Sequence, residues 1–207
     1  MFKKLLNILL VLLLGILCVV CIGILVVSFS ERKDNRRLAE QIADNSVVMT
    51  EHTLLKRQTE QWLDNEGLTL RDALLYPGND TGAVVHLYDL LHTPKLIYRV
   101  SGKMCSPCIQ FGFDKLKERF GEQVFDEVLF ILSDVSPREK RLIYEIRCYT
   151  LREDEQLGLP LETLLLPFMC ASGPEHTATG IFIPESKFPL YTDRYLSHTT
   201  ARLTGPH

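Results

Sequence analysis

The stretch Lys95-Leu96-Ile97-Tyr98-Arg99-Val100-Ser101-Gly102-Lys103-Met104-Cys105-Ser106-Pro107-Cys108-Ile109 decides the fold. Its first seven residues read as a strand, and Gly102 reads as the turn that ends it. From Ile109 the period changes: Ile109, Phe113, Leu116 and Phe120 fall at i, i+4, i+7 and i+11, an apolar stripe of helical spacing closed by Gly121. A Cys-x-x-Cys motif therefore sits where a strand hands over to a helix.

That place has chemical meaning. A thiol attacks a disulfide only as its thiolate, and the first turn of a helix, with its unpaired amide N–H groups and positive dipole end, favours the negative charge. Cys105 is positioned to be the exposed attacking thiol. Pro107 suits a first turn because its missing N–H would have no intrahelical partner there. The three-residue step brings Cys108 beneath Cys105, close enough to resolve a mixed disulfide. Lys103 and Arg99 add positive charge nearby, although the parity of the strand decides whether Arg99 faces the motif. The competing readings of the pair are a static disulfide and a metal knuckle. Zinc would ask for two further ligands, and Cys148, Cys170 and His176 form no second closely spaced pair, so no metal is expected. Cys148 and Cys170 read as buried thiols or a static disulfide.

Outward from the motif, Val128 to Leu132 is a continuous apolar run of strand type, and Ser136-Pro137-Arg138-Glu139 reads as the capped start of a helix. Gly180 to Ile183 is a short strand ended by Pro184, with Phe188-Pro189-Leu190 as a second extended segment beside it and Asp193 to Leu203 as a terminal helix. Arg147 to Thr179 carries no assignable pattern. Strand and helix alternate, which implies an α/β fold with parallel pairing.

Toward the N-terminus, Pro77-Gly78-Asn79-Asp80 is a turn-rich break. Asn35 to Asn65 is polar with Val48, Leu55 and Trp62 at seven-residue spacing, the mark of a helical stalk. From Leu5 to Phe29 the strongly polar side chains are Asn7 and Ser28, and such a helix reaches about 37 Å, enough to cross a hydrocarbon layer of roughly 30 Å. The run is too long for the core of a cleaved signal peptide. Cys18 and Cys21 lie inside it as passenger thiols. Arg32, Lys33, Arg36 and Arg37 outnumber Lys3 and Lys4, so charge counting alone favours the opposite orientation. The short, signal-like N-terminal tail and a dithiol suited to an oxidising compartment favour a cytoplasmic N-terminus with the folded part outside. The expected organisation is an anchor over 1–30, a stalk over 31–82 and a folded domain over 83–207.

Composition bounds the partners. In 207 residues, 23 Lys and Arg stand against 26 Asp and Glu, a net charge of −3 that offers no broad basic surface for nucleic acid.

Through Leu96–Ser101, the Cys105-Ser106-Pro107-Cys108 motif, the helix to Phe120, Val128–Leu132 and Ile181–Ile183, the chain resembles the thioredoxin-like family, in particular membrane-anchored thiol-disulfide oxidoreductases of the TlpA/ResA type. The resemblance spans roughly Ala83 to Leu203. It implies a central sheet flanked by helices and disulfide exchange with protein thiols or disulfides. It also implies catalytic roles for Cys105 and Cys108 and substrate contacts from Met104, Ser106 and Pro107. No bound cofactor is expected, because the cysteine pair holds the two electrons. Family members carry a cis-proline just before the strand matched to Ile181–Ile183, where it presents backbone to the substrate; Thr177-Ala178-Thr179 stands there instead, so Thr177 and Ala178 are expected at the substrate site. Met104 replaces the usual tryptophan, and no acid lies in Leu96–Ser101 to take a proton from Cys108. Two alternatives remain: a binding module that kept the fold without turnover, and a thiol peroxidase-like redoxin, although the Pro-x-x-x-Thr/Ser-x-x-Cys pattern of the latter is absent ahead of Cys105.

Overall fold

A computed structural model describes residues 2–78, 83–134, 148–152 and 155–203, with the side chains of the first helix described from residue 35 onward and at Gly15, Phe29, Arg32 and Lys33. In chain order the elements are α1 (Phe2–Asn65), β1 (Leu74–Pro77), β2 (Val85–His86), α2 (Leu87–Leu90), β3 (Lys95–Ser101), α3 (Ser106–Phe120), α4 (Val124–Glu127), β4 (Val128–Ser133), β5 (Tyr149–Leu151), β6 (Phe168–Ser172), β7 (Thr179–Phe182) and α5 (Pro189–Leu203). Short 3₁₀ turns occupy Gly121–Gln123 and Pro160–Leu164.

The seven strands among the described residues join one sheet in the order β2-β1-β5-β4-β3-β6-β7. β3, β4 and β5 run parallel, while β6 is antiparallel to β3 and β7 antiparallel to β6. This is a mixed α/β arrangement, a central sheet with helices against it. Parity along β3 divides the core. Leu96, Tyr98 and Val100 pack with Ile109, Phe113 and Leu116 of α3 and Leu196 of α5, whereas Ile97 packs on the other face with Leu75, Leu91, Leu129, Ile131 and Phe168. Each such side chain contributes about 1.5–3 kcal/mol when fully buried, so the parity of β3 fixes which face receives α3.

One close approach sets the depth of α3. A Cβ on Gly112 would stand 2.3 Å from the Tyr98 hydroxyl, which donates to the Ile109 carbonyl at 2.9 Å. Glycine at 112 is thus what lets the helix sit down on β3. Gly121 ends the helix at φ 56°, its N–H donating to the Lys117 carbonyl.

The chain divides into two compact units between Thr53 and Leu54. The first is the N-terminal part of α1, whose described side chains from residue 35 to Val48 are all exposed. The second begins at Leu54. β1 is a sheet strand paired with β5, and the last turns of α1 belong to the folded unit. Leu54 is buried, Gln58 exchanges hydrogen bonds with the backbone of Ile183, and the Glu66 carboxylate accepts from Gly180 N–H at 2.7 Å. Those polar side chains cover the outer edge of β7, an edge that would otherwise be open to pairing. Val48, Leu55 and Trp62, the seven-residue series, are exposed.

Other expectations change as well. Phe188-Pro189-Leu190 is not an extended segment, because Pro189 opens α5, a position proline favours. Ser136-Pro137-Arg138-Glu139 lies outside the described residues. The span Leu5–Phe29 has side chains described only at Gly15 and Phe29, and among the described residues no helix is long and apolar enough to cross a membrane.

Candidate functional site

Cys105 follows the β3 turn and is the residue that caps the N-terminus of α3. It is exposed and Cys108 half-buried, and the two are joined as a disulfide with their Cα atoms 5.2 Å apart. The Cys108 N–H points at Cys105 Sγ at 3.3 Å, while the Cys105 carbonyl accepts from the N–H groups of Cys108 and Ile109, both at 3.0 Å. The first of these amides faces the Cys105 sulfur, at a helix end whose dipole favours a negative charge there. Ser106 and Pro107 are exposed on the same turn.

Met104, expected to contact substrate, sits beneath the turn and is among the residues lining the cleft beside it. It is buried, and its sulfur accepts from Ser101 N–H at 3.1 Å. It therefore packs the turn from inside.

Thr177 and Ala178 lie elsewhere. Lys95 pairs with Ser172 and Ala171 with Thr179, so β7 starts at the end of the sheet where β3 starts. Cys105 follows the other end of β3, six residue steps or about 20 Å away. Thr177 bridges Thr69, Ala178 N–H donates to the Leu68 carbonyl and Gly67 N–H to the Ala178 carbonyl, both at 2.8 Å. Their backbone is engaged within the fold and is not at the dithiol. The strand beside β3 is β6, in which Phe168 stands opposite Arg99. The proline at the cysteine end is accordingly Pro167, buried immediately before β6. The described residues contain no cis peptide bond.

A cleft of about 560 Å³ opens beside the motif at the carboxyl ends of β3, β4 and β5, the end of a parallel sheet where ligand sites gather. Ser101, Lys103, Ser133, Asp134, Arg99 and Glu162 are among its lining residues. Arg99 shares the sheet face of Ile97, away from α3, so it does not reach toward the cysteines from beneath the helix. Its guanidinium pairs with Glu162 at 3.1 Å with both side chains about 5% exposed, and it also donates to Ser133 Oγ at 2.9 Å and to the Val100 carbonyl. Burial lowers the Arg99 pKa, against the pull of Glu162 and, more weakly, Asp134. Glu162 further accepts from Gly158 N–H at 3.0 Å, so one carboxylate ties the turn at Pro160–Leu164 to β3. That turn leads to Leu165, at φ 52° and exposed, and on to Pro167.

Asp134 is the second acid that sequence reasoning missed. It accepts from Lys103 Nζ at 2.7 Å, Ser101 Oγ at 2.9 Å and Ser133 Oγ at 3.0 Å. The Lys103 ammonium, and then the two hydroxyls, hold its carboxyl below the ordinary carboxylate range against the opposing effect of partial burial.

Cys148 and Cys170 are both buried. They belong to opposite faces of the sheet, Cys170 with Ile97 and Cys148 with Val100. Burial, first, and the negative charges of Glu162 and Glu66 push the Cys170 thiol up to about 12.

No protein-family model and no curated protein matches the chain. Among solved structures it is similar to a thiol:disulfide interchange protein from Bacteroides sp. (16% identity, 64% of this chain and 90% of that one, TM-score 0.42). It is also similar to a DsbF homologue from Corynebacterium diphtheriae (17% identity, 62% and 87%, TM-score 0.41). A third is a PrxQ variant from Xylella fastidiosa (12% identity, 67% and 96%, TM-score 0.46).

Proposed function

We propose that the chain is a thiol-disulfide oxidoreductase that exchanges disulfides with protein partners through Cys105 and Cys108. One observation carries the reading: an exposed cysteine caps a helix N-terminus and is disulfide-bonded to a less exposed cysteine one turn on. In the reducing direction, the Cys105 thiolate attacks one sulfur of a substrate disulfide, forming a mixed disulfide and releasing the other sulfur as a thiolate. The Cys108 thiolate then attacks Cys105 Sγ. The second substrate thiolate leaves, and two electrons have passed to the substrate as the Cys105–Cys108 disulfide forms. In the oxidising direction the same steps run backward. No bound cofactor is needed for either. Exposed Ser106 and Pro107 flank the attacked sulfur and are the substrate contacts of this reading. Leu5–Phe29 serves as a single-pass membrane anchor, with the N-terminus cytoplasmic and the dithiol outside, because an apolar run of that length suits a bilayer and a disulfide-exchanging cysteine pair suits an oxidising compartment.

The test is mixed-disulfide trapping with Cys108→Ser. That variant should accumulate adducts, through Cys105, that a small dithiol dissolves, and the Cys105→Ser/Cys108→Ser double variant should form none. Absence of adducts from the single variant, together with no insulin reduction by the wild-type chain, refutes the reading. A membrane-impermeant thiol reagent applied to intact cells should modify Cys105 after mild reduction; protection of Cys105 there refutes the orientation.

A further inference from the structure

The turn that delivers Cys105 is held by charge as well as by packing. Asp134 follows β4 at φ 53°, a left-handed conformation that Asn and Asp adopt most readily among non-glycine residues. From there its carboxylate takes the Ser101 hydroxyl and the Lys103 ammonium. Lys103 N–H approaches Ser101 Oγ at 3.3 Å, and Gly102 N–H donates to the Ser133 carbonyl at 2.9 Å. Ser101, Gly102 and Lys103 are thus all bound to Asp134 or its neighbour, and Met104-Cys105 comes next.

Lys103 is 65% exposed, and two residue steps keep its Cα within about 7 Å of that of Cys105. Its ammonium favours a thiolate, and the carboxylate 2.7 Å from that ammonium opposes it. The surrounding charges leave this balance in control. Arg99 of β3 is neutralised by Glu162 of the 160–164 turn, the first turn of α3 carries no charged residue, and Arg152 and Glu155 on the same cleft are of opposite sign.

We propose that Lys103 and Asp134 form a charge-setting pair for Cys105, in which Lys103 promotes ionisation of the sulfur and Asp134, as a positioning residue, holds that effect in check. The pair acts on the dithiol of the preceding section, and it gains functional weight from that reading, but its effect on ionisation can be measured without turnover.

The two residues give opposite signs if charge is what matters, and the same sign if the variants merely loosen the turn. A unit charge about 8 Å from an exposed sulfur in a water-like dielectric moves its ionisation by roughly 0.4 pH unit. The experiment uses the reduced full-length chain in a nonionic detergent at low ionic strength. Iodoacetamide alkylation is followed across pH on the peptide that carries Cys105. Lys103→Gln should raise the midpoint by roughly 0.4 unit and Asp134→Asn, which tolerates the left-handed backbone, should lower it by a similar amount. The double variant should return close to wild type, and all the shifts should shrink in high salt. Shifts in the same direction, or no shift from Lys103→Gln, overturn the proposal. If Cys108→Ser traps no substrate and the wild-type chain reduces no insulin, yet the shifts are opposite, the oxidoreductase reading falls and the pair stands. Trapping with parallel shifts removes the pair and leaves the enzyme.

Discussion

Removing the charge of Glu162 is the sharpest single test of how the cleft is held. The Glu162 carboxylate and the Arg99 guanidinium are both about 95% shielded from water, so neither partner can recover its solvation by turning outward. Loss of one member of a buried pair costs about 3–5 kcal/mol, because the other is left as an uncompensated charge. Glu162→Gln keeps the size and one carbonyl acceptor for Arg99, and a hydrogen bond to a charged group is worth about 1.5–3 kcal/mol, so the expected loss is roughly 2–3 kcal/mol. Urea unfolding at neutral pH, followed by near-UV circular dichroism, should show the midpoint falling with the slope unchanged. Against a typical total of about 5–15 kcal/mol, a loss of this size is easily read. The compensating variant Arg99→Met/Glu162→Leu removes both charges and should stay within about 1 kcal/mol of wild type, since well-packed apolar replacements of buried pairs are often neutral or better. A Glu162→Gln chain within about 0.5 kcal/mol of wild type would mean that the pair is not desolvated as the structure has it. A double variant weaker than the single would mean that its polar geometry, not its charge balance, supports the turn.

Three further outcomes follow from the same structure. Gly112→Ala should destabilise by about 1–3 kcal/mol through overpacking and Gly112→Ala/Tyr98→Phe should regain part of it, since the Tyr98 hydroxyl is the atom nearest the added Cβ; equal losses in single and double would exclude that contact as the cause. The Asp134 carboxyl titrates below its unfolded value, so its contribution to stability is present above the ordinary carboxylate pKa of about 3.9 and is lost as pH falls through the lower folded value. The stability difference between wild type and Asp134→Asn should therefore be constant near neutrality and narrow in acid, and a gap that widens on acidification contradicts it. Cys170, with its thiol pushed up to about 12, holds a thiolate fraction of only about 10⁻⁴ at pH 8, so in the native reduced chain iodoacetamide should modify Cys105 well before Cys170; comparable rates would show that β6 opens or that the site is not buried.

How much of this was legible in the sequence depends on the range over which each feature is encoded. The junction of β3 and α3 is local: a strand pattern, a glycine turn and a helical stripe follow one another within about 25 residues, and each agrees with its neighbours. Strand β6 is different. Phe168-Met169-Cys170-Ala171 is a four-residue apolar run between Pro167 and Ser172, and a run so short has no periodicity to tell it from a buried loop. Missing it has a geometric consequence larger than one strand. Each antiparallel step reverses the chain, so matching the proline-preceded strand of the resemblance to β7 instead of β6 carries the loop before it to the wrong end of the sheet. That is how Thr177 and Ala178 come to be expected beside the cysteines while Pro167, which stands there, goes unnoticed. The acids of the cleft fail for another reason. Arg99 in the middle of an apolar strand is itself a signal, since a buried guanidinium requires a buried acceptor. Yet its partner Glu162 lies 63 residues on, and nothing in the spacing singles it out among the acids of the chain. The sequence thus states that a partner must exist and leaves its identity to the sheet, whose parity turns Arg99 away from α3 and toward the turn at Pro160–Leu164.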